Sequence, residues 1–107
     1  MVNQASKLSE IKPNKQPIGY YPRSNPFTNH TFNLQKGESI YLFTDGYADQ
    51  FGGTQGKKFM YKRFQELLLA GSSLTLEEHK VLLAKRFDEW KGTLEQVDDV
   101  CVIGIKV

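Results

Sequence analysis

Two apolar segments of high strand propensity constrain this chain more than any other feature. The first, Ile40-Tyr41-Leu42-Phe43-Thr44, is β-branched, aromatic and apolar on both alternating faces, the pattern of a central strand covered on both sides. It stops abruptly at Asp45-Gly46. The second runs from Val100 to Val107, with Cys101, Ile103, Ile105 and Val107 on one face of a strand. Between them the glycines at 52, 53 and 56 predict a flexible, turn-rich loop. Met60, Phe64, Leu67 and Leu68 then fall on one helical face, which Gly71 is placed to end. A second helix is announced by Thr75-Leu76-Glu77-Glu78, a capping box whose hydroxyl and carboxylate satisfy free amides of the first turn. Leu76, Leu83, Phe87 and Trp90 give it an apolar stripe, and Gly92 is placed to stop it.

Upstream, Pro13, Pro17, Gly19, Pro22 and Pro26 break any helix and leave room for one short strand and a long loop. A further strand is expected around His30 to Leu34, ending in the turn Gln35-Lys36-Gly37. The expected order is strand, strand, strand, helix, helix, strand. That is an α+β layout without regular βαβ alternation.

With 107 residues, 39% of them hydrophobic, the chain supports one domain at most. A chain of this size buries only about 60 to 65% of its unfolded surface, too little for two lobes around a cleft. The formal charge of +2 argues against a nucleic-acid partner, which needs a concentrated basic surface. No run approaches a spanning helix, and Met1 to Lys7 lack the apolar stretch of a signal peptide. A single cysteine, Cys101, forbids an internal disulfide and suits a reducing compartment, so a cytoplasmic location is expected and Asn29-His30-Thr31 carries no glycosylation signal. Cys101 itself is expected to be a buried, inert thiol within its strand.

The acidic residues are placed tellingly. Asp45 follows the first strong strand, while Asp98 and Asp99 precede the last. If those strands are adjacent and antiparallel, the three carboxylates meet at one edge of a sheet, where they repel unless a cation or shared proton neutralises them. A hard divalent ion such as magnesium or manganese suits them. Spacing alone leaves a second reading open, in which Asp-Gly is an ordinary turn and the other acids are routine residues before a strand.

Leu42-Phe43-Thr44-Asp45-Gly46-Tyr47-Ala48-Asp49, paired with Gln96-Val97-Asp98-Asp99-Val100-Cys101-Val102-Ile103, resembles the last two metal motifs of the PPM (type 2C) metal-dependent serine/threonine phosphatases, in their bacterial SpoIIE-like branch. Lys15-Gln16-Pro17-Ile18-Gly19 and Lys36-Gly37-Glu38 are similar to the segments that precede the first of these motifs in that branch. The resemblance covers nearly the whole chain. It implies part of a four-layer α-β-β-α sandwich, with two Mn2+ or Mg2+ ions at one end. It makes Asp45 and Asp98 metal ligands and Asp99 either a further ligand or a group that orients water. The ions would activate a water for in-line attack on a phosphoryl group, with no covalent intermediate. Asp49, one turn after Asp45, stands where relatives more often carry Glu and is a candidate to support the ligands from behind. Lys57 and Lys58, in the glycine-rich segment, are candidate contacts to a phosphorylated partner. The implied substrate class is a small phosphorylated regulator of the anti-anti-sigma type.

The family's earlier Asp-Gly metal motif has no counterpart here, since residues 1–38 contain no aspartate. The expectation is therefore that residues 1–107 form the C-terminal portion of a phosphatase domain, inactive alone and prone to self-association, in a longer protein with upstream sensor or membrane segments. The competing expectations are a non-catalytic relative that docks or relays a signal, and a complete small interaction domain. Other motifs carry less: residues 52–58 lack the spacing and the Ser/Thr of a nucleotide loop, and His30, His79 and Cys101 lack zinc spacing.

Overall fold

A computed structural model describes residues 2–4, 7–11, 26, 29, 31 and 33–107. Its elements are β1 (Val2–Gln4), β2 (Lys7–Ser9), β3 (Ser39–Phe43), β4 (Phe51–Gly52), β5 (Lys57–Lys58), α1 (Tyr61–Ala70), α2 (Leu76–Lys91) and β6 (Val102–Lys106). Four strands form one antiparallel sheet in the order β2-β1-β3-β6, and β4 pairs with β5 in a separate hairpin. The α+β expectation holds, with refinements near the N-terminus. Two short strands stand there where one was expected, and Thr31, Asn33 and Leu34 lie outside any strand. His30 and the segment Lys15 to Gly19 fall outside the described residues. Among the described residues no helix is long and apolar enough to cross a membrane.

The β3–β6 ladder is the spine. Its register runs from Ser39 opposite Lys106 to Phe43 opposite Val102. Backbone bonds prolong it at both ends, with Thr44 N donating to the Cys101 carbonyl at 3.0 Å and Val107 N to the Glu38 carbonyl at 3.0 Å. This register turns Tyr41 and Phe43, with Val102 beside them, toward the helices, and there they meet Phe64, Leu68 and Phe87. Strand alternation then sends Leu42, Ile103 and Ile105 to the other side. Those three residues and Val107 are each about half exposed. The expectation that β3 is covered on both sides is therefore corrected: one face is packed and the other is open among the described residues. Cys101 is corrected for the same reason. It shares the open side and is exposed rather than buried.

The core is largely aromatic. Tyr47 lies at its centre, 5.3 Å from Phe59, 5.0 Å from Phe64 and 5.1 Å from Phe87 between ring centroids. Its hydroxyl donates to the Leu83 carbonyl at 2.7 Å, so the polar end of a buried ring is satisfied. Burial raises the Tyr47 pKa strongly. Phe64 and Leu68 are fully enclosed on α1, each contributing about 1.5–3 kcal/mol by leaving water.

Both helices start and stop near the expected residues, but α1 does so without Met60 on its buried face. Met60 is 59% exposed and serves as the N-cap, with φ 79° and ψ 153° and no side-chain cap bond. Its N–H is taken by the Ala48 carbonyl at 2.8 Å, which fixes the backbone before the helix begins. In α2 the capping box closes as expected: Glu78 N donates to Thr75 Oγ1 at 3.1 Å, and Thr75 N to Glu78 Oε1 at 3.2 Å. His79 joins Phe87 on the buried stripe, whereas Leu76 stays partly exposed. The ring of His79 presses on Gly71, where any Cβ would overlap it, and its Nδ1 lies 3.4 Å from the Tyr41 hydroxyl.

The glycine-rich segment is turn-rich over residues 53–56 as expected, and its flanks pair as a short hairpin, β4–β5. Its base docks on α2, with Gly53 N donating to the Trp90 carbonyl at 2.9 Å and Trp90 Nε1 donating to the Gln50 carbonyl at 2.9 Å.

Two outcomes follow for stability. A non-glycine residue at the Met60 backbone conformation costs about 1–3 kcal/mol. Met60→Gly, which removes little buried surface, is expected to stabilise the fold by about 1 kcal/mol in urea denaturation, and a loss of stability contradicts this account. Burial, reinforced by the nearby Lys106 charge and opposed by the Leu67 carbonyl, lowers the His79 pKa below its ordinary 6.5. The unfolded chain therefore takes up the proton first as the pH falls, so the His79 contribution is full above about pH 6.5 and is lost below it. His79→Gln is expected to show a smaller drop in urea midpoint than wild type between about pH 7.5 and pH 5.5. Equal drops would remove His79 from the explanation.

Candidate metal centre

The ladder decides where the acids go. Because β3 and β6 are adjacent and antiparallel, the end of one strand meets the start of the other, and Asp45, Asp98 and Asp99 gather at one end of the sheet. Thr44 ties this end together. Its Oγ1 donates to the Asp99 carbonyl at 3.1 Å and accepts from Cys101 N at 3.0 Å. Gly46 permits the close approach, since a Cβ there would overlap the Asp99 carbonyl oxygen. The Asp-Gly pair is thus more than a turn: the glycine lets the chain carrying Asp45 lie directly against the backbone carrying Asp99.

All three carboxylates are solvent-exposed. Asp45 Oδ1 accepts a hydrogen bond from the Tyr61 hydroxyl. Asp98 Oδ1 accepts from Asp99 N at 2.8 Å, and Gln96 Nε2 donates to the Asp98 carbonyl at 2.9 Å, which shapes the approach to β6. The bond to Asp45, helped by partial burial and by the charges of Asp45, Asp49 and Glu10, pushes the Tyr61 hydroxyl pKa up to about 12.

The remaining sequence candidates lie to one side. Asp49 N donates to the Asp45 carbonyl at 2.9 Å, closing the turn after β3, while its carboxylate faces Lys58 Nζ at 3.8 Å. Lys58 also stands over the Phe51 ring, 5.7 Å from its centroid. Lys57 is exposed on the same strand of the hairpin.

Sequence reasoning missed three supporting residues. Thr44 reads as one more strand residue until its hydroxyl is seen bridging two chain segments. Tyr61 is the first residue of α1, and helical periodicity gives no reason to aim it at Asp45. Gln50 is completely buried, and its Nε2 donates to the Glu95 carbonyl at 2.8 Å, joining the turn after β3 to the approach to β6.

Among the described residues no three His, Cys, Asp or Glu side chains converge into a metal shell. The donor set nonetheless fits a hard divalent cation. Such an ion accepts one or two carboxylates and completes its shell with water, and the exposed oxygens of Asp45 and Asp98 offer that chemistry.

Comparison with known proteins bears on family and fold. The family description "Stage II sporulation protein E (SpoIIE)" matches residues 1–107. Among solved structures, the SiaA-PP2C domain of Pseudomonas aeruginosa is similar, with a TM-score of 0.73 and 29% sequence identity over 78% of this chain. The match covers 34% of that chain, so the present sequence spans about a third of its structural relative. No curated protein sequence gave a match. A sheet in which the paired strands β3 and β6 place Asp-Gly and Asp-Asp at one end, a match along the entire sequence and a shared PP2C-type fold lead to one conclusion: the chain belongs to the SpoIIE family of PPM-type phosphatases.

Proposed function

We propose that residues 1–107 form the C-terminal portion of a metal-dependent phosphatase domain that removes phosphate from phosphoserine or phosphothreonine in a bacterial signalling protein. The observation that carries this reading is the register of the β3–β6 ladder, which places the segment carrying Asp45 and the segment carrying Asp98 and Asp99 at the same end of the sheet. Asp45 and Asp98 hold Mn2+ or Mg2+, and Asp99 either adds a ligand or orients water. A divalent ion bound there supplies a Lewis acid that lowers the pKa of water and offsets phosphoryl charge, and the family resemblance implies two such ions in the complete domain.

The chain's own residues set the geometry. Thr44 and Gly46 lock the two ligand-bearing segments in register. Asp49 closes the turn behind Asp45 and pairs with Lys58, leaving Lys57 as the freer cation for a phosphorylated partner. The open side of the sheet supports the assignment to part of a domain. Leu42, Ile103, Ile105 and Val107 present an apolar surface that an upstream half would cover, and that same half would bring the remaining ligands. The partner class proposed is a phosphorylated regulator of the anti-anti-sigma type, and the setting is cytoplasmic, beside upstream sensor segments.

The test uses the longer protein containing this chain. Asp45→Asn and Asp98→Asn are each expected to lower Mn2+-dependent hydrolysis of a phosphoserine peptide by at least about 100-fold, while residues 1–107 alone are inactive. Full activity in both variants overturns the site assignment. Metal-independent inactivity of the intact longer protein would favour a docking or relay module instead.

A further inference from the structure

The residue that touches the candidate metal ligand most directly is one that no sequence motif marks. Tyr61 opens α1 and donates its hydroxyl proton to Asp45 Oδ1, while its ring leans on Phe43 at a centroid distance of 6.2 Å. The surrounding backbone holds it there. Phe59 N donates to the Gln50 carbonyl at 2.9 Å and Met60 N to the Ala48 carbonyl at 2.8 Å, so the start of α1 is laced to the turn that follows Asp45. Met60 adopts its φ of 79° at that junction, a conformation that a non-glycine residue keeps only where the surroundings enforce it. The strained residue therefore lies between two anchored carbonyl contacts and the tyrosine they aim.

Resting on the metal-centre reading above, we infer that Tyr61 is a positioning residue, whose hydroxyl fixes the Asp45 carboxylate so that its second oxygen is presented to the metal. The chemistry is simple. Asp45 is exposed, and an exposed carboxylate samples several rotamers that ligation must freeze. A hydrogen bond to one oxygen holds the plane of the group and leaves the other oxygen free to ligate. Hydrogen bonds of this kind to ligating carboxylates govern metal affinity, and their removal typically weakens it about 10–100-fold. Because the ring is held by Phe43 independently of the hydroxyl, the two roles separate in one substitution.

The experiment measures Mn2+ affinity by titration, followed by the electron paramagnetic resonance of free Mn2+, in the longer protein. Wild type is compared with Tyr61→Phe, Asp45→Asn and the double variant, with a thermal melt of each. Tyr61→Phe is expected to weaken Mn2+ binding about 10-fold with an unchanged melting midpoint, and to have no further effect once Asp45 is Asn. Leu68→Ala, a core truncation within α1, provides the control: it is expected to lower the melting midpoint and leave Mn2+ affinity within about twofold of wild type, unlike Tyr61→Phe. Wild-type affinity in Tyr61→Phe alongside weakened binding in Asp45→Asn would overturn the positioning role and leave the metal site standing. An undiminished effect of Tyr61→Phe in the Asp45→Asn background would also overturn it, since the hydroxyl would then act elsewhere. Wild-type affinity in Asp45→Asn would remove the metal reading and this inference together.

Discussion

The antiparallel pairing of β3 with β6 is the constraint on which the rest depends. It joins positions more than fifty residues apart, and the Thr44 hydroxyl seals it by bonding both the carbonyl of Asp99 and the amide of Cys101. A shift of β6 by one residue against β3 would turn over the two faces of β6. Val102 would leave the helices, Ile103 would replace it, and Gly46 would no longer lie against Asp99. Core packing and the gathering of acids are therefore set by one ladder.

Tyr47 couples the site to the core. It lies two residues after Asp45, yet its ring contacts Phe59, Phe64 and Phe87 and its hydroxyl reaches α2 at Leu83. The turn that carries the candidate ligand is thus nailed into the hydrophobic interior immediately after it leaves the strand. Gln50 repeats the device on the other side, spanning to the Glu95 carbonyl from a fully buried position. Loops are ordinarily the mobile parts of a domain. Here the loop is short and aromatic, and its burial gives the carboxylates a stiff base.

Local signals in the sequence resolved most of the elements because local physics made them. The capping box at Thr75 and Glu78, the stops at Gly71 and Gly92 and the strand ending at Asp45-Gly46 depend on a few neighbouring residues, and each is found where it was expected. The end of the sheet at which the acid-bearing segments lie was legible too, because strand ends follow once pairing is assumed. What escaped depends on contacts remote in sequence. Met60 satisfies the helical pattern, but the Ala48 carbonyl claims its amide and places it outside the helix. Cys101 reads as an interior strand residue because periodicity shows that one face is apolar, without showing whether anything covers it. The aim of Tyr61 at Asp45 is tertiary in the same sense, since nothing within its own helix turn specifies a partner sixteen residues away.

Two open features of the fold lie on the same pair of strands. At the end of β3 and β6 is a set of carboxylates too small to make a complete shell among the described residues, and along one face of the same strands runs an apolar surface left in water. Each is unfavourable in isolation: the acids repel one another, and half-exposed Leu42, Ile103 and Ile105 forgo burial. One packing partner on that face would answer both under the proposed reading, covering the side chains and adding ligands at the sheet's end. The solved relative, of which this chain spans about a third, has length enough for such a partner. Metal binding and sheet packing would then be linked, each stabilising the other by mass action, because the ligands would be assembled only when the apolar face is closed.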